Sequence, residues 1–288
     1  MSEATHIENQ ATPKVAQNGV YKKERTKDMK FDMHCHTREG SMDAKVSIEN
    51  YIEILKEQGY GGMLVSDHNS YNGYRKWKYT IKGKKHEDFV VLKGIEYDTI
   101  DAGHILVIMP EGVKLPILEL RGLPVKKLID IVHRYGGILG PAHPCGERYL
   151  SIVKTWKKKN QEEVMGNFDF LEEYNSCEKE ESNAGAAMLA EKYGLPGFGG
   201  SDAHRTNCIG TAYTELPDTI EKESDLIQYI KEGGEVSCGG TIYHGTAREK
   251  LGIVHKLVVL SFLMYNVAGG AYRWRRRSGE LKKKELRK

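Results

Sequence analysis

The sequence predicts an α/β protein whose strands close into a barrel. Two observations lead there. Short apolar runs alternate with segments of helical period, and six or seven such runs fall within about 200 residues. In addition, no glycine-rich phosphate-cradling pattern follows the first run, so a doubly wound nucleotide-binding sheet is not supported.

The elements follow in order. Residues 1–29 mix Glu, Asn, Gln, Lys and Thr with little periodicity and read as a mobile arm. KFDMH, ending at His34, is the first strand. Ile48, Tyr51, Ile52 and Leu55 then fall on one face of a helix that Gly59 ends. GMLVSDH, FVVLKGIE and HILVIM read as strands, and Pro124–Tyr135 as a helix carrying Leu128, Ile131, Val132 and Tyr135. GGILGPAH and FDFLEEYN are further strands, Glu181–Tyr193 a helix, and LPGFGGSDAH a last strand. Strands alternating with helices imply a largely parallel sheet with crossover helices.

The histidines carry the functional signal. His34 and His36 end the first strand as HCH, His68 ends the second as SDH, and Glu96 ends the third as GIE. His104 begins the next strand, His143 ends GGILGPAH, and Asp202 and His204 end the last as SDAH. Residues i and i+2 of a strand share a face. Each pair therefore aims two donors at one place, with Cys35 and Ala203 turned away. The C-terminal ends of barrel strands converge on one mouth, and imidazole with carboxylate is a donor set for zinc, manganese or iron. His6, His86, His133, His244 and His255 lack this context and read as ordinary structural or surface histidines.

Together HCH, SDH, GIE, the lone His104, PAHP at Pro141–Pro144 and GSDAH at Gly200–His204 resemble the signature of the polymerase and histidinol phosphatase (PHP) family. The motifs span residues 31–204 in the family's order. The resemblance implies the PHP fold, a distorted (β/α)7 TIM-like barrel with a C-terminal extension. Residues 30–216 would form the barrel, 217–265 the extension and 266–288 a basic tail. It also implies up to three divalent ions (manganese, iron, zinc or magnesium) and hydrolysis of phosphate esters. Position by position, the implied ligands are His34, His36, Asp43, His68, Glu96, His104, His143, Asp202 and His204. Asp43 is chosen because MDAKVS stands where small-molecule members resemble SDGRLT, with one extra residue in this loop. Asp67 reads as a partner behind the ligands.

The filled site would be net positive and suited to a phosphate dianion, with paired ions clamping attacking and leaving oxygens. Cationic side chains would grip the non-reacting oxygens. Arg148 and Arg205 are the candidates, Arg148 because related enzymes resemble it with AHPGR. The catalytic candidates are Asp43, His104 and Arg148.

Composition bounds the partners. The chain has 288 residues, 39% apolar and 29% charged, with a net charge of +3, which favours a small phosphorylated substrate over a nucleic acid bound across the surface. A competing reading is a 5′-3′ exonuclease or oligoribonuclease on short nucleic acids. Tyr71–Lys85 interleaves Tyr and Trp with Lys and Arg, the composition of a base-stacking, backbone-tracking surface. A non-catalytic metal-binding regulatory domain is a third reading. An amidohydrolase-like site is disfavoured by GIE and GSDAH.

Five cysteines without a CxxC pair argue for reduced thiols, and Met1–Lys30 lacks an apolar leader segment, so a cytoplasmic protein is expected. Leu257–Ala268 is shorter than the roughly 20 apolar residues a bilayer span requires. It reads as a buried helix, with a membrane-surface helix as the alternative.

Overall fold

The computed structural model describes residues 28–147, 150–155, 158–254, 256–258, 260–261 and 264. The elements run β1 (Asp28–Cys35), α1 (Ile48–Glu57), β2 (Gly62–Val65), α2 (Asn72–Thr80), β3 (Val90–Asp98) and β4 (His104–Ile108). A 3-10 turn at Pro116–Glu119 precedes α3 (Val125–Arg134) and β5 (Ile138–Pro141). Next come α4 (Ile152–Thr155), α5 (Lys158–Met165), β6 (Leu171–Asn175), α6 (Glu180–Tyr193) and β7 (Gly197–Gly200). A second 3-10 turn, Thr206–Cys208, leads to β8 (Ala212–Pro217), α7 (Glu223–Lys231), β9 (Ser237–Gly240) and α8 (Ala247–Leu251). β1 starts at Asp28, so the strand takes in the last two residues of the expected arm.

Seven strands form one curled sheet in the order β5-β4-β3-β2-β1-β8-β9, and β6 and β7 form a separate parallel ribbon. The ribbon spans the gap between the sheet's β5 and β1. Asp169 N–H donates to the Leu139 carbonyl at 3.0 Å, and Asp202 N–H to the His34 carbonyl at 2.9 Å. β1 is thus shared. Its N-terminal half pairs with β8, while its C-terminal end meets the segment after β7 through a Cys35–Ala203 bridge.

The expectation of a largely parallel sheet is corrected. Only β1–β2 and β2–β3 are parallel in the large sheet, and β1–β8, β3–β4, β4–β5 and β8–β9 are antiparallel. The cause is local: a parallel crossover needs a dozen or more residues, and the link from Asp98 to His104 is a tight turn. Thr99 Oγ1 donates to the Gly103 carbonyl at 2.6 Å, and Gly103 sits at φ 73°, where a side chain would be strained. The hairpin brings the start of β4 beside the end of β3. That is why His104, at a strand beginning, reaches the same mouth as ligands at strand ends.

The barrel interior is layered. Phe31, Met33, Leu64, Leu92, Leu106, Phe170 and Phe198 fill it below the mouth. Leu92, Glu96 and Asp98 share one face of β3, apolar below and polar above. β1 departs from this alternation: Phe31 and Met33 point into the core, yet so do His34 and His36. The register of β1 against β2 shifts between Asp32 and Cys35, and that irregularity turns the HxH pair inward.

Helices cover the outside. α1 starts at Ser47, whose Oγ accepts from Asn50 N–H, and buries the predicted Ile48, Tyr51, Ile52 and Leu55. α3 buries Val125, Leu128, Ile129 and Val132, whereas Tyr135, expected on that face, is its exposed C-cap. The helix begins at Val125, and its period carries the buried face past Tyr135.

Two other expectations change. The aromatic and basic segment 71–85 turns most of its aromatics inward: Tyr71, Tyr74 and Trp77 are buried and Tyr79 is half-buried, while Lys78, Lys82, Lys84 and Lys85 face water. Its α2 is an ordinary amphipathic helix. The apolar stretch after α8 is not a buried helix. Leu257, Val258, Leu260 and Met264 are exposed, because α7 already covers the adjoining core with Leu226, Ile227 and Ile230. Residues 259, 262–263 and 265–288 lie outside the described residues, as do residues 1–27. Among the described residues, no helix is long and apolar enough to cross a membrane.

Candidate metal centre

The strand ends converge on one mouth, where six imidazoles surround two inner carboxylates. Glu96 is the hub. Its Oε1 lies 2.7 Å from His104 Nδ1 and 3.1 Å from His143 Nε2. Its Oε2 lies 2.9 Å from His68 Nδ1, 3.3 Å from His36 Nε2 and 3.5 Å from His34 Nε2. Asp202 Oδ1 stands 3.1 Å from His36 Nε2 and 3.6 Å from His34 Nε2. The two nitrogens of the HxH pair are themselves 3.0 Å apart.

Three groups of donors at this mouth could each hold an ion: His34, His36 and Asp202; His36, His68 and His204; and His68, Glu96 and His104. A fourth group, Glu49, Glu53 and His86, brings His86 beside two carboxylates of α1. The first three overlap at His36 and His68, so they form one continuous cluster of candidate donors. Asp43 belongs to none of these triads, but its Oδ2 lies 3.4 Å from His204 Nε2 and 3.8 Å from His68 Nε2. The loop carrying it is tied down by Lys45 N–H donating to the His204 carbonyl at 2.9 Å. His143 reaches the cluster through Glu96. The structure thus brings all nine predicted ligands to one place.

The donor chemistry fits cations. Asp43 Oδ1 is buried and carries no hydrogen bond among the described residues, and Glu96 Oε2 and Asp98 Oδ1 face imidazole nitrogens without an aligned hydrogen bond. Lone pairs left so typically cost about 1–3 kcal/mol each, a cost that a bound ion removes. Electrostatics show the same strain. Burial would raise the pKa of Glu96, yet the imidazoles of His104, His68 and His34 hold it well below the usual carboxylate range. Burial would lower His143, but Glu96 lifts it to about 9, and Asp43 likewise lifts His204 to about 9.

A layer behind the ligands fixes their orientation. Glu172 Oε1 bonds His34 Nδ1 at 2.8 Å, which leaves Nε2 to face the centre. Its other oxygen accepts from His143 N–H at 2.6 Å and from the Asn175 amide at 3.1 Å, and that amide also donates to Asp202 at 3.2 Å. Asp67 plays the expected supporting part. It accepts from Thr37 N–H at 2.6 Å and Ser41 Oγ at 2.9 Å, and Ser41 meets His36 Nδ1 at 3.1 Å. Asp32 accepts from Ser201 N–H at 2.8 Å and from the Tyr51 hydroxyl at 3.1 Å, locking β1 to the loop that bears Asp202. His143 and Asp202 have φ of 30° and 52°, an uncommon left-handed backbone for non-glycine residues. Cys35 faces away from the ligands and donates to the Asp32 carbonyl.

Sequence reasoning missed Glu172, Asn175 and Asp98. Asp98 Oδ1 stands 3.3 Å from His104 Nε2 and 3.6 Å from His68 Nδ1. The i+2 spacing from Glu96 was its available signal. Of the proposed phosphate clamps, Arg205 is exposed at the rim beside His204, and Arg148 lies outside the described residues. His133 and His244 pair with the surface carboxylates Asp169 and Glu249, in keeping with their ordinary reading.

Comparison with known proteins agrees with this architecture. Residues 180–234 match the family model described as PHP-associated. No curated protein matches the sequence. Among solved structures, PsfC from Pseudomonas syringae superposes with a TM-score of 0.56 at 16% identity, over 82% of this chain and 99% of its own. A two-domain protein from Bacteroides vulgatus containing a predicted PHP-like metal-dependent phosphoesterase gives a TM-score of 0.52 at 14% identity, covering 75% of this chain and 66% of that one. The lesion-specific endonuclease EndoQ from Pyrococcus furiosus gives 0.56 at 18% identity, over 74% of this chain and 58% of its own. These similarities establish the fold.

Proposed function

We propose that the chain is a PHP-type metal-dependent phosphoesterase acting on a small phosphorylated substrate, a reading supported by the PHP-associated match over residues 180–234 and by the fold shared with a predicted PHP-like phosphoesterase. The observation that carries this reading is the set of three overlapping donor triads at one mouth. Divalent ions held there would supply Lewis acidity toward the phosphoryl group and activate water near neutral pH. No serine or cysteine nucleophile is needed. Ser201 is committed to Asp32, and burial raises the Cys35 thiol well above its ordinary value.

The chain's own residues then have distinct tasks. His34, His36, His68, Glu96, His104, His143, Asp202 and His204 hold the ions. Glu172, Ser41 and Asp67 fix the imidazoles so that their donor nitrogens are preorganised. Asp43, on the rim between His68 and His204, is proposed as a ninth donor and catalytic residue. Burial would raise its carboxyl, yet the His204 and His68 imidazoles hold it well below the usual carboxylate range. His104, enclosed between Glu96 and Asp98, serves as a donor and holds Glu96 in place. Arg148 and Arg205 are proposed to meet the substrate.

The domain organisation fits the same scheme. Residues 30–216 are proposed as the catalytic barrel, 217–265 as an extension that adds β9 to its sheet, and 266–288 as a basic tail.

The second reading is hydrolysis of nucleic acid, supported by the likeness to EndoQ, one structure of which holds a 27-mer duplex with an abasic lesion. Against it, Tyr71, Tyr74 and Trp77 of segment 71–85 are buried, and Tyr79 is half-buried.

The deciding experiment measures phosphate release from sugar phosphates, nucleoside mono- and bisphosphates, and 5′-phosphorylated oligonucleotides. Each is run with manganese and with chelator, wild type beside His34→Ala. The expected result is metal-dependent release from a small monoester that His34→Ala abolishes. Release only from oligonucleotides would establish the nuclease reading. No release from any substrate by metal-loaded protein would favour a regulatory domain.

A further inference from the structure

The rim beside Glu96 carries a cation that stands outside every sequence motif. Arg121 follows the 3-10 turn Pro116–Glu119, in a stretch without regular structure, yet its backbone is fixed on both sides. Gly122 N–H donates to the Asp98 carbonyl at 2.9 Å, and Ile100 N–H to the Leu123 carbonyl at 3.3 Å. The Tyr97 hydroxyl accepts from Leu123 N–H at 3.0 Å and donates to the Leu120 carbonyl. The turn itself is braced from behind. Arg75 on α2 grips Glu119 with two parallel bonds of 2.7 and 2.8 Å, both residues buried.

This anchoring delivers the Arg121 guanidinium to Asp98 Oδ2, with the side chain 17% exposed at the mouth. The other oxygen of Asp98 is the one that lies 3.3 Å from His104 Nε2. A single carboxylate therefore separates the guanidinium from the triad of His68, Glu96 and His104. Arg205 stands beside His204, in the triad of His36, His68 and His204, so the two cations flank different parts of the centre.

We propose that Arg121 is the residue that grips the substrate's phosphoryl group at the His68–Glu96–His104 side of the mouth. The inference rests on the phosphoesterase reading. The planar fork of an arginine matches two non-bridging phosphoryl oxygens, and a fork already held by a fixed backbone loses little freedom on binding. The ligand class is a phosphoryl dianion, which competes with Asp98 for the fork as it enters.

The test titrates inorganic phosphate calorimetrically into manganese-loaded wild type, Arg121→Ala and Arg121→Lys, with metal content measured for each. In Arg121→Ala, phosphate affinity should fall by about 10- to 100-fold, the loss of a charged hydrogen-bonding pair, with metal content unchanged. KM for the best substrate should rise in step, and Arg121→Lys should recover only part, keeping the charge but not the fork. Unchanged phosphate affinity in Arg121→Ala, with wild type binding phosphate, would overturn the proposal and leave the phosphoesterase reading standing. Loss of metal together with phosphate would also overturn it, making Arg121 a brace for the centre. Wild type that binds manganese but no phosphate would remove both readings at once.

Discussion

Glu172 shows how much of the centre depends on residues that touch no ion. It fixes the ring of His34, caps the backbone of His143 and aligns Asn175 with Asp202. Glu172→Gln keeps the shape but removes the charge that makes His34 a strong donor. Metal affinity should fall by about 10- to 100-fold with secondary structure intact, checked by competition with a chelating dye and by circular dichroism. The metal-free protein should show a second effect. His143 and His204, each near 9 when folded against an ordinary 6.5, form ion pairs with Glu96 and Asp43. Because both values are raised in the folded state, their stabilisation is fully present below about pH 6.5 and disappears as pH rises through about 9. In chelator, the urea midpoint should fall across that window. A midpoint that rises there would show that those pairs do not form. The ligands themselves were legible because i and i+2 share a strand face. Asp98 obeyed the same rule from Glu96 but sits where the chain turns. Glu172 was hidden beside Glu173, since alternation alone cannot say which of two adjacent glutamates faces inward.

Elements of regular period could be read, and the link that reverses the chain could not. α1 buries the face its spacing predicted, and β2, β3 and β5 lie where the apolar runs put them. The hairpin between β3 and β4 was encoded only in the shortness of its link, which a search for crossover helices passes over. α2 misled for another reason. Its composition suits nucleic acid, but its spacing puts most of its aromatics on the core side. Arg75 joins them there, paired with Glu119, and this is the element's most consequential contact. Arg75→Ala would leave Glu119 buried beside no guanidinium and should cost roughly 3–5 kcal/mol in urea unfolding. Replacing both partners together, Arg75→Met with Glu119→Leu, should recover most of that loss. If the double variant is as unstable as the single one, the pair is not the reason α2 and the turn stay together.

On the scale of the whole molecule, the barrel class was evident from alternation. Its closure was not, because the sequence does not say that β1 divides its length between two neighbours. That division sets a schedule for the nascent chain. Ser201 N–H and Asp32 lie 169 positions apart, and bonds of that kind close the ring. Contacts so distant come late, since the entropy of closing the intervening loop must be met before they return anything. A chain emerging from the ribosome therefore exposes its HxH pair long before Asp202 and His204 exist to complete the centre. Until β7 docks on β1, the early strands offer the His68, Glu96 and His104 group but lack Asp202 and His204, which complete the other two. The mouth is completed in one late step, when the first strand made receives β7.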